Sequence, residues 1–418
     1  MSSVIYYLVS RLASHPAGVN YPLSSIPLLR PVAELPTGRM IRAPARLLPP
    51  PSPPHMPKRF LASLALLVLG TVQVSAQRAA SPGVTGDYVI HDFTFADGER
   101  LDSLTIHYRT LGTPRRDAQG VVRNAVLVLH GTTGSGDQFL SPLFANELYG
   151  AGQPLDTTAY FVVLPDGIGH GRSSRPSAGL RARFPHYDYA DMIEAQHRLL
   201  VDHLGVTHLR LVMGTSMGGM HSWMWGERYP DFMDGIVPLA SVPTEIAGRN
   251  RMLRRMVIDD ITSDPEWRKG DYTSQPRGLR AALQILFIMT SAPLVQQRTA
   301  PTREAADSAI DAFLDARFRS MDANDMLYAF DASRNYDPSG TLALIRAPVL
   351  AINSADDQVN PPELGLMERL MPRVKHGRYL LIPISPATRG HGTHTVAAAW
   401  KTPFQSFLAS LPPLPPLH

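Results

Sequence analysis

The chain is predicted to fold as an α/β protein: a mostly parallel sheet with helices on both faces and a helical insertion over one edge. Three observations predict this. Short apolar runs recur at residues 125–129, 160–164, 209–213, 348–353 and 379–384, the mark of strands covered on both faces. Segments of helical spacing alternate with them, as parallel strands require. The third run enters a tight glycine-rich turn, Gly214-Thr215-Ser216-Met217-Gly218, with a helix-like segment at 220–228 behind it.

Taken in order, residues 1–55 hold eleven of the 38 prolines, show no sustained period and are expected to be disordered. Met56-Pro-Lys58-Arg59 then precedes an apolar run at 60–72 and the small residues Val74-Ser75-Ala76. A positive start, a short apolar middle and a small-residue cleavage site describe a secretory signal peptide over 56–76, with Met56 as the natural start. A single membrane anchor is the alternative, although the run falls short of the roughly 20 residues that span a bilayer. Export to the periplasm or the medium is the expectation, with no membrane contact after cleavage.

Residues 88–95 and 104–111 alternate apolar and polar side chains, as half-exposed strands do. The buried runs 125–129 and 160–164 follow, then helical spacing at 191–204, ended by Gly205. Residues 244–335 carry helical patterns at 249–261, 279–290 and 303–319 and almost no strand signal, so they read as a helical lid. The core is thus expected in two parts, 77–243 and 336–418, with a final helix near 393–411.

Composition narrows the chemistry. The absence of cysteine excludes disulfides, thiolate metal sites and a cysteine nucleophile. Seven of the 40 Lys and Arg but one of the 36 Asp and Glu lie in residues 1–76, which leaves 33 basic against 35 acidic residues beyond. The net charge of +4 therefore belongs to the leader and gives no reason to expect nucleic-acid binding.

In sheets of this kind the site lies beyond the carboxyl ends of the strands. Ser216 follows the run 209–213, on a G-x-S-x-G turn that lifts its hydroxyl clear of the sheet. Asp356 and Asp357 follow 348–353, and His391 and His394 follow 379–384. A serine hydroxyl needs an imidazole to accept its proton, and the imidazole needs a carboxylate to set its tautomer. Asp357 is favoured over Asp356 by its place four residues before Pro361. His391 is favoured over His394, which is expected on the following helix. The backbone N–H groups of Met217 and Thr132 are the expected oxyanion donors. His130 is expected to orient its loop, and Asp166 and His170 lie in a glycine-rich turn without a full phosphate-binding pattern. Arg249, Arg251, Arg254 and Arg255 are expected on a solvated helix face, with contact to a substrate carboxylate as the alternative for one of them. No metal and no cofactor are expected. The expected partner is a small ester or acyl substrate; a second copy of the chain is the alternative to a monomer.

Asp188-Tyr-Ala-Asp-Met-Ile-Glu-Ala-Gln-His-Arg-Leu-Leu200, Gly214-Thr-Ser-Met-Gly-Gly-Met-His221, Tyr229-Pro-Asp231, Met321-Asp-Ala-Asn-Asp-Met-Leu-Tyr328 and Asn335-Tyr-Asp337 resemble the homoserine O-acetyltransferase branch of the α/β-hydrolase superfamily. The resemblance spans roughly 85–411. It implies an α/β-hydrolase fold, a triad of Ser216, Asp357 and His391, and a lid over 244–335 that forms a tunnel to the serine. Two segments depart from it: the loop His130-Gly-Thr-Thr-Gly134 and the Gly392-Thr-His394 that follows the histidine. An exported chain would also leave intracellular acetyl-CoA behind. Ester hydrolysis through an acyl-enzyme is therefore the expected reaction. Acyl transfer from acetyl-CoA is the first alternative, and a non-catalytic binding protein on the same scaffold is the second.

Overall fold

The computed structural model describes residues 83–418; the proline-rich stretch 1–55 and the leader-like segment 56–76 lie outside the described residues. Eight strands form one sheet: β1 (Val84–Thr94), β2 (Arg100–Leu111), β3 (Ala125–Leu129), β4 (Phe161–Pro165), β5 (Leu211–Thr215), β6 (Ile236–Leu239), β7 (Val349–Ser354) and β8 (Gly377–Ile382). Their order is β1-β2-β4-β3-β5-β6-β7-β8. β2 pairs antiparallel with β1 and β4, and the remaining pairs are parallel.

Among the described residues ten α-helices follow in chain order: α1 (Pro142–Leu148), α2 (Tyr189–Arg198), α3 (Met217–Arg228), α4 (Gly248–Thr262), α5 (Arg277–Thr290), α6 (Pro293–Thr299), α7 (Arg303–Ser320), α8 (Ala323–Asp331), α9 (Leu366–Leu370) and α10 (Lys401–Ser410).

The central strands are apolar throughout because both of their faces are covered. Val126, Val128, Leu211 and Met213 pack with Phe144 of α1 and with Trp400 and Phe404 at α10. The alternate residues Ala125, Leu127, Leu129 and Val212 pack instead with Ile193 of α2 and with Trp223 and Trp225 of α3. Successive side chains on a strand point to opposite faces, so one apolar run feeds two cores.

The chain winds outward from β3 to β4, then returns past β3 to β5. A crevice opens at such a reversal, beyond the strand ends. Helices α4, α5, α7 and α8 cover that end. Val257, Leu283, Leu314 and Phe330 of these helices share one buried cluster with Met217 and Met220 of α3.

Two of the motifs quoted above prove to be helix starts. Asp188 and Asp191 close a capping box at the head of α2. Asp322 caps α8 by accepting the Asn324 and Asp325 N–H groups, and it also holds the Tyr272 hydroxyl and Gln275. Asn324 ties α8 to the Trp267 indole and the Gly270 carbonyl.

Three expectations need correction. The third helix begins at Met217 rather than 220, so the residue after the serine already has helical backbone. Helices α6 and α8 lie outside the three helical patterns read over residues 244–335. The final helix does not begin near 393: two 3₁₀ turns, Gly392–Thr395 and Ala397–Ala399, come first, and α10 starts at Lys401. The Thr393 hydroxyl accepts from the Arg389 N–H, and the Thr395 hydroxyl donates to the Gly392 carbonyl. Such local bonds compete with helix formation. His394 therefore sits in the first of these 3₁₀ turns, ahead of the final α-helix.

Candidate active site

Ser216 stands between β5 and α3 with φ 55° and ψ −111°, a left-handed backbone that a non-glycine residue adopts at a cost of about 1–3 kcal/mol. Its N–H donates to the Leu239 carbonyl at 2.9 Å, which helps hold the turn. The turn can be this tight only because Gly214 and Gly218 face each other. A Cβ on Gly214 would overlap the Gly218 backbone, and a Cβ on Gly218 would overlap the Leu129 carbonyl oxygen.

From this turn a continuous hydrogen-bonded chain runs inward. The Ser216 Oγ donates to His391 Nε2 at 2.8 Å, and His391 Nδ1 donates to Asp357 Oδ2 at 2.8 Å. The carboxylate can only accept, which puts the ring proton on Nδ1 and leaves Nε2 free to receive one. Asp357 is buried. Burial pushes its carboxyl up, but the His391 ring and the Val359 and Asn360 N–H groups outweigh that, and the group ends below the usual carboxylate range. It is therefore ionised wherever His391 needs a counter-charge. Asn360 Nδ2 adds a longer bond to Asp357 at 3.4 Å and a second to the Ala240 carbonyl at 3.0 Å.

The neighbouring aspartate does something else. Asp356 accepts from the Ser354 hydroxyl at 2.5 Å and, across the site, from the Gly390 N–H at 2.9 Å. It anchors the loop that carries His391. Asp357, by contrast, accepts from the Val359 and Asn360 N–H groups and from His391 at once. His394 lies beside His391, with ring centroids 5.4 Å apart. Its Nδ1 is buried without a partner, and burial next to His391 pushes its imidazole down to about 3. It reaches neither Ser216 nor Asp357 by a hydrogen bond among the described residues.

Thr132 lies on the loop after β3. The carbonyl of its preceding peptide, Gly131, faces His130 Nδ1 at 2.9 Å and the Gly134 N–H at 2.9 Å. His130 Nε2 accepts the Gly167 N–H at 2.9 Å, so this ring is neutral with its proton on Nδ1. Burial and the neighbouring His170 hold its imidazole down at about 3. His170 Nε2 faces the Thr132 carbonyl at 2.6 Å. Asp166 accepts from the Gly136 and Arg172 N–H groups, both at 2.7 Å. The Asp166–His170 turn thus braces the loop that holds Thr132. Its composition identified a turn but not this task, which depends on β3 and β4 lying side by side.

Ser216, His391, His394 and Thr132 line a cavity of about 250 Å³, closed by Leu286, Met289 and Thr290 of α5, Phe330 of α8, and Arg254 and Arg317. A second hollow of about 520 Å³ shares Thr132, Thr133, Gly134 and Gln138 with it and continues between the loops and α8. Arg254 is a further correction: it is 2% exposed, not on a solvated face. The neighbouring Arg255 is exposed and pairs with Asp259. Helical spacing alone could not tell which arginine turned inward. Among the described residues no three His, Asp or Glu side chains converge as metal ligands.

A serine whose hydroxyl is bonded to a carboxylate-backed imidazole, at the switch point of a parallel sheet, defines a class. The chain belongs to the alpha/beta hydrolase fold family, whose model matches residues 124–380, and within it to the homoserine O-acetyltransferase-like branch. It is 30% identical over 291 residues to a probable acyltransferase of Methanothermobacter thermautotrophicus, covering 69% of this chain and 88% of that protein. It is 34% identical to the homoserine O-acetyltransferase of Pelobacter propionicus, covering 64% and 82%. Among solved structures it is similar in fold to an acetylester hydrolase of Corynebacterium glutamicum (TM-score 0.68, 20% identity, 78% and 96% covered). It is similarly close to a homoserine O-acetyltransferase of Bacillus anthracis (TM-score 0.67, 21% identity, 78% and 98% covered).

Proposed function

We propose that the chain transfers acyl groups through a covalent acyl-serine at Ser216. The observation that carries this reading is the unbroken Ser216–His391–Asp357 chain, with both links at 2.8 Å. As Ser216 Oγ attacks the acyl carbonyl, His391 Nε2 takes its proton. Asp357 holds the ring and stabilises its charged form. The oxygen that becomes negative is received by the Met217 N–H, at the open N-terminus of α3, and the Thr132 N–H; each such donor lowers the barrier by about 3 kcal/mol. His391 returns the proton to the leaving group. A hydroxyl acceptor, activated by the same ring, then takes the acyl group and frees Ser216.

The sequence relatives, a probable acyltransferase and a homoserine O-acetyltransferase, support a hydroxyl acceptor ahead of water. Hydrolysis is the second reading, and one observation favours it. The lining of the serine cavity contains two guanidinium groups and no carboxylate. An amino-acid acceptor would bring an ammonium group to a lining with no carboxylate of its own, the carboxylates of Asp322 and Asp325 standing in the adjoining hollow, whereas water needs no such recognition.

The test gives purified protein an acyl donor, acetyl-CoA or a short ester, in the presence of homoserine or a simple alcohol, and follows products by mass spectrometry. Acylated acceptor supports transfer; free acid alone moves the reading to hydrolysis. Neither product, together with no labelling of Ser216 by a fluorophosphonate, removes both. We also propose export, supported by the leader-like pattern at 56–76. A mature N-terminus near Gln77 in native protein is the expected result.

A further inference from the structure

Arg254 is buried in the wall of the cavity that holds Ser216, and it has no acidic partner. Its Nε donates to Asn250 Oδ1 at 3.0 Å and its Nη1 to Ser333 Oγ at 3.1 Å, and the ring of Phe330 lies 5.6 Å from its Cζ. All three are neutral, and none of its partners among the described residues is a carboxylate. The buried Tyr189 hydroxyl lies beside the same guanidinium without a hydrogen bond of ordinary length. Arg317 adds a second cation to the lining, which itself holds no aspartate or glutamate; Asp322 and Asp325 line the adjoining hollow.

Arginine stays charged in proteins, and a buried charge is costly unless something pairs it. Among the described residues no carboxylate bonds to Arg254. The neutral contacts fix the head group, with two of its nitrogens engaged by the protein. A planar guanidinium held in this way matches the geometry of a carboxylate.

We propose that Arg254 is an anion-binding specificity residue, and that the substrate carries a carboxylate and no nearby ammonium. This rests on the reading of Ser216 as the acyl-accepting group, because the carboxylate must belong to a molecule whose acyl carbon reaches Ser216 Oγ. The carboxylate belongs to either the acyl part or the alcohol part.

Matched pairs of esters distinguish the two sources. Methyl pentanoate against monomethyl glutarate adds the charge on the acyl side. Propyl acetate against 3-acetoxypropanoate adds it on the alcohol side. Ester cleavage followed at constant pH should favour the charged member of one pair by about tenfold to a hundredfold in kcat/KM. In Arg254→Met that ratio should fall to near one, and Arg254→Lys should keep part of it. Because the ratio is taken within one protein, partial misfolding cancels. A wild-type ratio near one in both pairs, or a ratio that survives in Arg254→Met, overturns the proposal.

A readout without turnover accompanies it. Butyrate, but not butyramide at matched ionic strength, should raise the Tm of the wild type and leave that of Arg254→Met unmoved; equal responses to the two compounds overturn the proposal. If no ester is cleaved but butyrate still acts through Arg254, the hydrolytic reading fails and this one stands. Cleavage of neutral and charged esters at equal rates leaves Ser216 in place and removes Arg254.

Discussion

The rim of the sheet and the lid above it are built on opposite terms. At the rim the three side chains have their partners inside the protein: Ser216 has His391, His391 has Asp357, and Asp357 has two backbone N–H groups. In the lid, Arg254 is as deeply buried but has only neutral company. A satisfied network is rigid before substrate arrives, and preorganisation of that kind supplies rate. An unsatisfied charge has binding free energy left for a ligand, which supplies selectivity. On the readings proposed above, the two regions divide the work: chemistry is preset in the core, and choice of substrate rests with the helices over it.

The comparison is broken most directly at the rim. Ser216→Ala should lower kcat by about 10⁴-fold or more, since the remaining groups supply only binding and oxyanion stabilisation. Turnover near the wild-type rate would move the nucleophile elsewhere. The two adjacent aspartates sharpen the contrast. Asp357→Asn should cost about 10⁴-fold in kcat by reversing the histidine tautomer. Asp356→Asn, which only loosens the Gly390 anchor, should cost about tenfold or less by the same assay, the scale of one hydrogen bond. Comparable losses in the two variants would mean that the aspartates share the histidine.

Smaller effects test the supports. Gly218→Ala should destabilise the protein by about 1–3 kcal/mol in denaturant unfolding, because its Cβ has no room beside the Leu129 carbonyl. An unchanged midpoint would mean that the elbow relaxes freely.

The smallest effect concerns pH. The His130 imidazole is held down at about 3 in the folded chain, against 6.5 for the free group. The unfolded chain therefore binds a proton that the folded chain refuses. The stability this ring contributes is full above about pH 6.5 and declines as pH falls toward 3. Asp191 and Asp325, pushed up to about 6 by burial, act in the opposite sense. The measurement is therefore the difference in Tm between wild type and His130→Asn, which should shift against the wild type as pH drops through that window. A difference independent of pH would mean that the ring is not held neutral.

Much of this was legible along the chain because it is local. A run such as Ala125–Leu129, apolar at every position, has few solutions other than a strand covered on both faces. Gly214 and Gly218 around Ser216 have a purpose only in a turn that forbids Cβ atoms. The strands β1 and β2, at one side of the sheet, announced themselves by alternation. Other features gave no such sign. The threonines of Gly392-Thr-His-Thr395 bond locally where a helix was expected. The brace from Asp166 and His170 to the Thr132 loop joins segments 30 and 38 residues apart.

Residue order thus settled which elements form and which kinds of side chain stand at the strand ends, since apolar period, glycine and turn chemistry act over a few neighbours. Residue order favoured Asp357 over Asp356 and His391 over His394, but which of them meet Ser216, and which of Arg249, Arg251, Arg254 and Arg255 turns inward, took the folded chain to decide. Those pairs differ little in their immediate surroundings. They differ in which atoms lie within 3 Å once distant strands and the lid have packed, and that distance exists only in the folded molecule.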